Sequence, residues 1–207
     1  MFGADVDVLQ LEFEESFDLN VNDLQKLVKS NTKLIVLNTP NNPTGSIIRN
    51  SDMKDVVEIA RKIDAYVLVD EVYRPLFHSV DPVVDELPKS IVELYEKGIS
   101  TGPMSKAFSL PGARVGWIAS KEKSFINECF SKRDFCIISV SALDDQVALF
   151  TLKHRDAIIK RNYRFQYMVT EFNLGSGEKK FKTNCIGLEK LFRYRESNPG
   201  LPGESGP

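Results

Sequence analysis

Three short apolar runs, each giving way to a loop of polar residues, constrain the fold of this chain more than any other feature. They are Lys33–Leu37, Ala65–Val69 and a shorter one around Ile99–Thr101. Short runs rich in Val, Ile and Leu fit strands of a parallel sheet, which need apolar side chains because helices cover them. Between the runs stand helical patterns. Asn20 or Asn22 opens a helix with Leu24, Leu27 and Val28 on one face. Asp52, with Asp55 three residues on, resembles a capping box that starts a helix with Val56, Ile59, Ala60 and Ile63 facing inward. Ser90–Lys97 reads as a helix stopped by Gly98.

Further strands are predicted at Val6–Phe13 and Val115–Ala119, with helices at Lys121–Lys132, Leu143–His154 and Arg155–Phe172. Thr39–Gly45 is a loop of prolines, asparagines and glycine, and Pro75–Pro88 a connection. Strand-helix alternation predicts an α/β fold, a mainly parallel sheet flanked by helices. In such sheets ligands bind beyond the carboxyl ends of the strands. The loop Asn38–Gly45, the pair Asp70 and Tyr73, and the loop holding Lys106 each follow such an end.

Composition narrows the function. The net charge is −2, and no basic stripe with interleaved aromatics points to nucleic acid. No apolar run is long enough for a bilayer, and the acidic start, Met1–Ser16, is wrong for a signal or transit peptide. A cytoplasmic protein is expected. Cys129, Cys136 and Cys185 lack metal-ligand spacing and are expected as reduced, buried thiols. With only His78 and His154 present, serine–histidine or histidine–metal chemistry has little material. No metal site is expected.

The candidate residues gather around the three loops. Lys106 stands between small residues, with Arg114 eight positions on, past a Pro-Gly turn. A lysine can form an imine with an aldehyde, or be a solvated surface charge. An arginine can grip a phosphate bidentately, or sit in a surface ion pair. Asp70 ends an apolar run, where a carboxylate needs a partner. That partner is a protonated ring nitrogen, or else loop amides or an arginine. Tyr73 could donate to an anionic ring oxygen or be a tyrosine at the core edge. Asn42 could donate to the same oxygen or serve the turn alone. Taken together, these groups ask for one ligand with a ring nitrogen, a phenolate-like oxygen, an aldehyde and a phosphate. Pyridoxal 5'-phosphate has all four.

The motifs Asn38–Gly45, Val69-Asp70-Glu71-Val72-Tyr73, and Ser105-Lys106 through Pro111-Gly112-Ala113-Arg114-Val115-Gly116-Trp117 resemble, in order and spacing, the class I/II aminotransferases of pyridoxal-phosphate fold type I. The likeness spans about Val8–Phe172. It implies that Lys106 is the Schiff-base lysine and proton shuttle, and that Asp70 pairs with the pyridine nitrogen. It implies that Tyr73 and Asn42 bond the 3'-oxygen and Arg114 binds the phosphate, with help from Ser105. It also implies cis peptide bonds at Pro40 and Pro43, uncommon elsewhere. The reaction implied is amino transfer between an amino acid and a 2-oxo acid, by a protein that is a homodimer at full length.

Departures from the family pattern matter. Pro103 stands where many members carry a phosphate-binding serine. The glycine-rich phosphate loop, the aromatic that stacks on the ring, and the arginine for the substrate carboxylate have no counterpart. The expectation is a partial large domain over 1–174 and a disordered tail unlike the family over 175–207. Two alternatives stay open: a catalytically silent fragment that acts at most as a dimerisation partner, or another fold type I enzyme such as a lyase.

Overall fold

The computed structural model describes residues 3–77 and 87–164. The elements run α1 (Val21–Leu27), β1 (Leu34–Asn38), α2 (Asn50–Lys62), β2 (Tyr66–Asp70), α3 (Ile91–Leu94), β3 (Gly98–Pro103), β4 (Gly116–Ser120), α4 (Lys123–Arg133) and α5 (Ala142–Lys153). The chain is helical again over 155–164, after a single turn residue, His154. The remainder of the expected helix to Phe172, the tail, His78, Cys185 and most of the connection before Pro88 lie outside the described residues.

Among the described residues the sheet has four strands in the order β1-β2-β3-β4. The first three are parallel, and β4 runs antiparallel to β3. The expected α/β architecture with a mostly parallel sheet is present. Val67 and Val69 of β2 are fully buried and alternate with half-buried Tyr66, Leu68 and Asp70. One face of the sheet therefore carries the core: Ile35, Val67 and Val69 pack with Leu24 of α1, and with Met53, Val56, Val57, Ile59 and Ala60 of α2. The other face is more open, and Leu34 and Val36 of β1 are 47% and 63% exposed.

A second cluster lies under the Lys106 loop, where Met104, Ala107 and Phe108 pack with Ala148 of α5 and with Ile159. Helices α4 and α5 turn Phe130, Leu143 and Phe150 outward, and the connection between them exposes Phe135 and Ile138.

Several expectations are corrected. Val6–Phe13 forms no strand: it pairs with none of the sheet's strands, and Val6 and Val8 are exposed. An extended segment without a ladder partner gains nothing over hydration of its backbone. Helix α2 begins earlier than Asp52, capped at Arg49 without a side-chain bond. The helix expected over Ser90–Lys97 ends at Leu94. Tyr95 turns extended there, burying its ring and donating its hydroxyl to the Ala65 carbonyl at 2.7 Å. Gly98 starts β3 instead of ending a helix. The two described thiols are not buried: Cys129 is intermediate and Cys136 exposed, on or just beyond a helix with no fully buried residue.

Candidate functional site

Strand register builds the site. Asn38, Asp70 and Thr101 are consecutive neighbours across β1, β2 and β3, so the carboxyl ends of the parallel strands share one edge. Because β4 is antiparallel and pairs Gly116 with Pro103, its amino end meets that same edge. Arg114, two residues before β4, is delivered there by the reversal of direction.

Asp70 is held from both neighbouring strands. The Asn38 Nδ2 donates to its carbonyl oxygen at 3.0 Å, and the Thr39 N–H donates to the same oxygen at 3.1 Å. The Thr101 hydroxyl donates to its carboxylate Oδ1 at 3.1 Å. Neither loop amides nor an arginine supply the observed partner of the carboxylate. A neutral hydroxyl does, which orients the acid without cancelling its charge. Among the described residues no ion pair reaches Asp70.

Asn42 is tied into the same network, since its N–H donates to the Asn38 Oδ1 at 2.8 Å. One side chain, Asn38, thus spans the backbones of Asp70 and Asn42. The loop closes through Asn41 and Ser46, and through Gly45, whose φ of +77° suits a residue without Cβ. The peptide bonds preceding Pro40 and Pro43 are cis, as the resemblance implies, and so is the one preceding Pro75.

Tyr73 lies in the turn after β2, half-buried, and the Lys106 Nζ stands 5.8 Å from the centroid of its ring. Lys106 itself is exposed and makes no ion pair among the described residues. Its loop is nevertheless anchored, because Met104, Ala107 and Phe108 on either side of it are buried. Ser105 is half-buried immediately before it. Arg114 is exposed, has a φ of +52°, and donates to the Pro111 carbonyl at 3.1 Å. It too makes no ion pair among the described residues, so the surface-pair alternative is not what the fold gives it.

Reading the sequence missed three supporting residues. Glu71 is buried and accepts from the Ser90 hydroxyl at 2.8 Å, the Ser100 hydroxyl at 2.9 Å and the Ile91 N–H at 3.0 Å. It pins α3 and β3 to the turn that carries Tyr73. Its signal was available: strand alternation sends the residue after Asp70 to the opposite face, where a carboxylate needs donors. Asn162 donates to the Ala107 carbonyl at 2.7 Å and bonds the Ser109 hydroxyl. The Tyr163 hydroxyl donates to the Pro75 carbonyl at 2.6 Å and accepts from the Phe77 N–H at 3.2 Å. Consecutive residues of one helix strap both the lysine loop and the tyrosine loop. No local pattern announces that contact.

The edge therefore collects an amine, a carboxylate, a phenol, a carboxamide and a guanidinium. Direct contacts join Asp70 to Thr101 and Asn38, Asn42 to Asn38, and Lys106 to Tyr73; strand pairing alone brings Arg114. The edge is open. A cleft of about 510 Å3 between α1 and α2 includes none of these residues; another of about 470 Å3, beside Trp117 and Arg74, is lined by Thr101 but not by Lys106, Asp70, Tyr73, Asn42 or Arg114.

The fold is of the open α/β class with a mostly parallel sheet, in which the region beyond the carboxyl ends of the strands is the usual place for a small ligand. Residues 2–181 match the family model described as aminotransferase class I and II, and the chain belongs to that family, which is pyridoxal-phosphate-dependent. It is 34% identical over 120 residues to aromatic-amino-acid aminotransferase 2 of Thermococcus litoralis, covering 58% of this chain and 30% of that protein. It is 29% identical over 157 residues to capreomycidine synthase of Streptomyces vinaceus, covering 76% and 39%. Among solved structures, a pyridoxal-phosphate-dependent aminotransferase from Streptococcus suis superposes with a TM-score of 0.71 at 33% identity, covering 95% of this chain and 46% of that one. The chain thus spans less than half the length of these relatives.

Proposed function

We propose that this chain carries the cofactor half of an aminotransferase site and transfers an amino group from an amino acid to a 2-oxo acid. The observation that carries the reading is the shared edge of Asp70, Tyr73, Asn42 and Lys106, backed by family membership. The residues fit pyridoxal 5'-phosphate by their chemistry. Asp70 would hold a ring nitrogen protonated, and the only partner of its carboxylate among the described side chains is a neutral hydroxyl, which leaves its charge available. Tyr73 and the Asn42 carboxamide would donate to the ring oxygen. Arg114 would take the phosphate, with Ser105 adding a hydroxyl. The left-handed backbone at Arg114 costs roughly 1 kcal/mol or more for a residue with a Cβ, and such strain clusters at ligand clamps.

When bound, the cofactor supplies an electron sink for the substrate's α-carbon. The chain's own part is to position and to move a proton. The Lys106 amine would be the covalent anchor and afterwards the base that carries the proton. Its exposure at the loop crest leaves it within reach of a ligand on the edge. The outward Phe135, Ile138 and Leu143, at 90%, 79% and 74% exposure, support a homodimer as the assembled form.

The test is reduction with borohydride after adding pyridoxal 5'-phosphate, followed by peptide mapping. Cofactor fixed to Lys106 is the expected result; an unlabelled Lys106 overturns the reading. The likeness to a synthase over 76% of this chain favours a second reaction on the same cofactor, such as lyase chemistry. Formation of a 2-oxo acid from an amino-acid panel separates the two.

A further inference from the structure

We infer that Thr101 is a positioning residue for Asp70: its hydroxyl fixes the plane of the carboxylate so that the second oxygen faces the ring nitrogen of the bound cofactor. The inference rests on the cofactor reading above and adds to it a residue outside the recognised motifs. Thr101 and Asp70 are register partners on adjacent parallel strands, so the two side chains stand side by side on one face. The hydroxyl donates to Oδ1 at 3.1 Å. A carboxylate at a strand end turns freely about its last torsion unless a donor holds one oxygen. Here the backbone of Asp70 is already fixed by Asn38 and Thr39, which leaves the side-chain torsions as the remaining freedom.

The kind of donor matters as well as its place. An arginine would orient the acid but also compete for its charge, whereas a hydroxyl brings no formal charge. Thr101 is only partly buried, and the acid is half-buried beside it. The pair therefore lies at the edge where a ligand would arrive, not deep in the core.

The experiment compares the full chain with Thr101→Val, Thr101→Ala and Thr101→Ser. Valine keeps the shape and strand preference and removes the hydroxyl; alanine guards against a packing fault in the valine protein; serine restores the donor. Each protein is titrated with pyridoxal 5'-phosphate and with its 1-deaza analogue, in which a C–H replaces the ring nitrogen. The expected result is a loss of about tenfold in cofactor affinity for valine and alanine, near-recovery for serine, and equal binding of the deaza analogue by all four proteins. A nitrogen-specific loss is something a merely structural role would not produce. Unchanged cofactor affinity in both hydroxyl-free variants, or equal weakening toward both ligands, overturns the inference and leaves the cofactor reading standing. Failure of the unaltered chain to bind the cofactor overturns the reading itself, and this inference with it.

Discussion

The Asn162 Nδ2 donates to the carbonyl oxygen of Ala107 at 2.7 Å, across 55 residues of sequence. Ala107 is fully buried and follows Lys106 directly. The last described helical turn therefore holds the backbone of the loop that presents the lysine. Asn162→Leu leaves that carbonyl without its donor. The expected cost is about 1–2 kcal/mol. Hydrogen exchange should rise across residues 105–110 while the β1–β2 core stays protected. Unaltered exchange in that loop would show that the strap is dispensable.

Glu71 is expected to matter for stability more than its neighbour Asp70. Replacing it by alanine leaves two serine hydroxyls and the Ile91 N–H without their acceptor. Glu71→Ala should cost about 3 kcal/mol, and Glu71→Gln, which keeps one carbonyl acceptor, roughly half of that. Urea unfolding gives both values. An alanine variant as stable as the unaltered chain would mean that the three donors find other partners.

Gly102 lies under the ring of Trp117. A Cβ there would meet the Trp117 Cζ2 at 2.5 Å. The ring is also packed edge-on against Phe108 at 6.0 Å, a contact that swinging it away would give up. Gly102→Ala should cost about 1–3 kcal/mol. Trp117→Ala made in the same protein should cancel most of the glycine effect, a coupling measurable in a double-mutant cycle. Additive losses would refute the steric account.

Tyr95 gives a pH dependence. Burial pushes its phenol up from the ordinary value of 10.0. A group whose folded pKa is raised contributes its stability in full below the unfolded value and loses it as pH rises through the folded one. Stability should therefore fall on the alkaline side, from about pH 10 upward. Tyr95→Phe should flatten that alkaline fall. At neutral pH it should cost about 1 kcal/mol, because the buried Ala65 carbonyl loses its donor. Chemical denaturation at neutral and alkaline pH reads both effects, and an equal alkaline slope in the two proteins would remove the assignment.

The elements that were legible in advance were those with a local cause. Helix α1 starts at Asn20 because its side chain accepts from the N–H groups of Asn22 and Asp23, a short-range bond that the sequence announces. β2 was legible because Val67 and Val69 have no soluble alternative. Where two local signals competed, tertiary packing chose between them. Ser90–Lys97 has helical spacing, but burying the Tyr95 ring and bonding its hydroxyl to Ala65 outweighs further turns of helix. The Asp52 and Asp55 pattern looked like a start signal, yet the helix begins earlier, at Asn50. Val6–Phe13 had strand-like alternation and found no partner. A strand is a property of a pair, and a single segment cannot announce its mate.

By itself, the order of residues determined which chemical groups this protein has and which strand end each one follows. Spacing of that kind is carried along the chain, and the rule for parallel sheets turns it into a common edge. Only the tertiary structure decided how those groups are supported. The reversal of β4 brings Arg114 to the edge. Thr101 and Asn38 grip Asp70 from opposite sides, and residues at 162 and 163 hold two distant loops. These are contacts between atoms far apart in sequence, fixed by register and helix docking, and no local propensity encodes them.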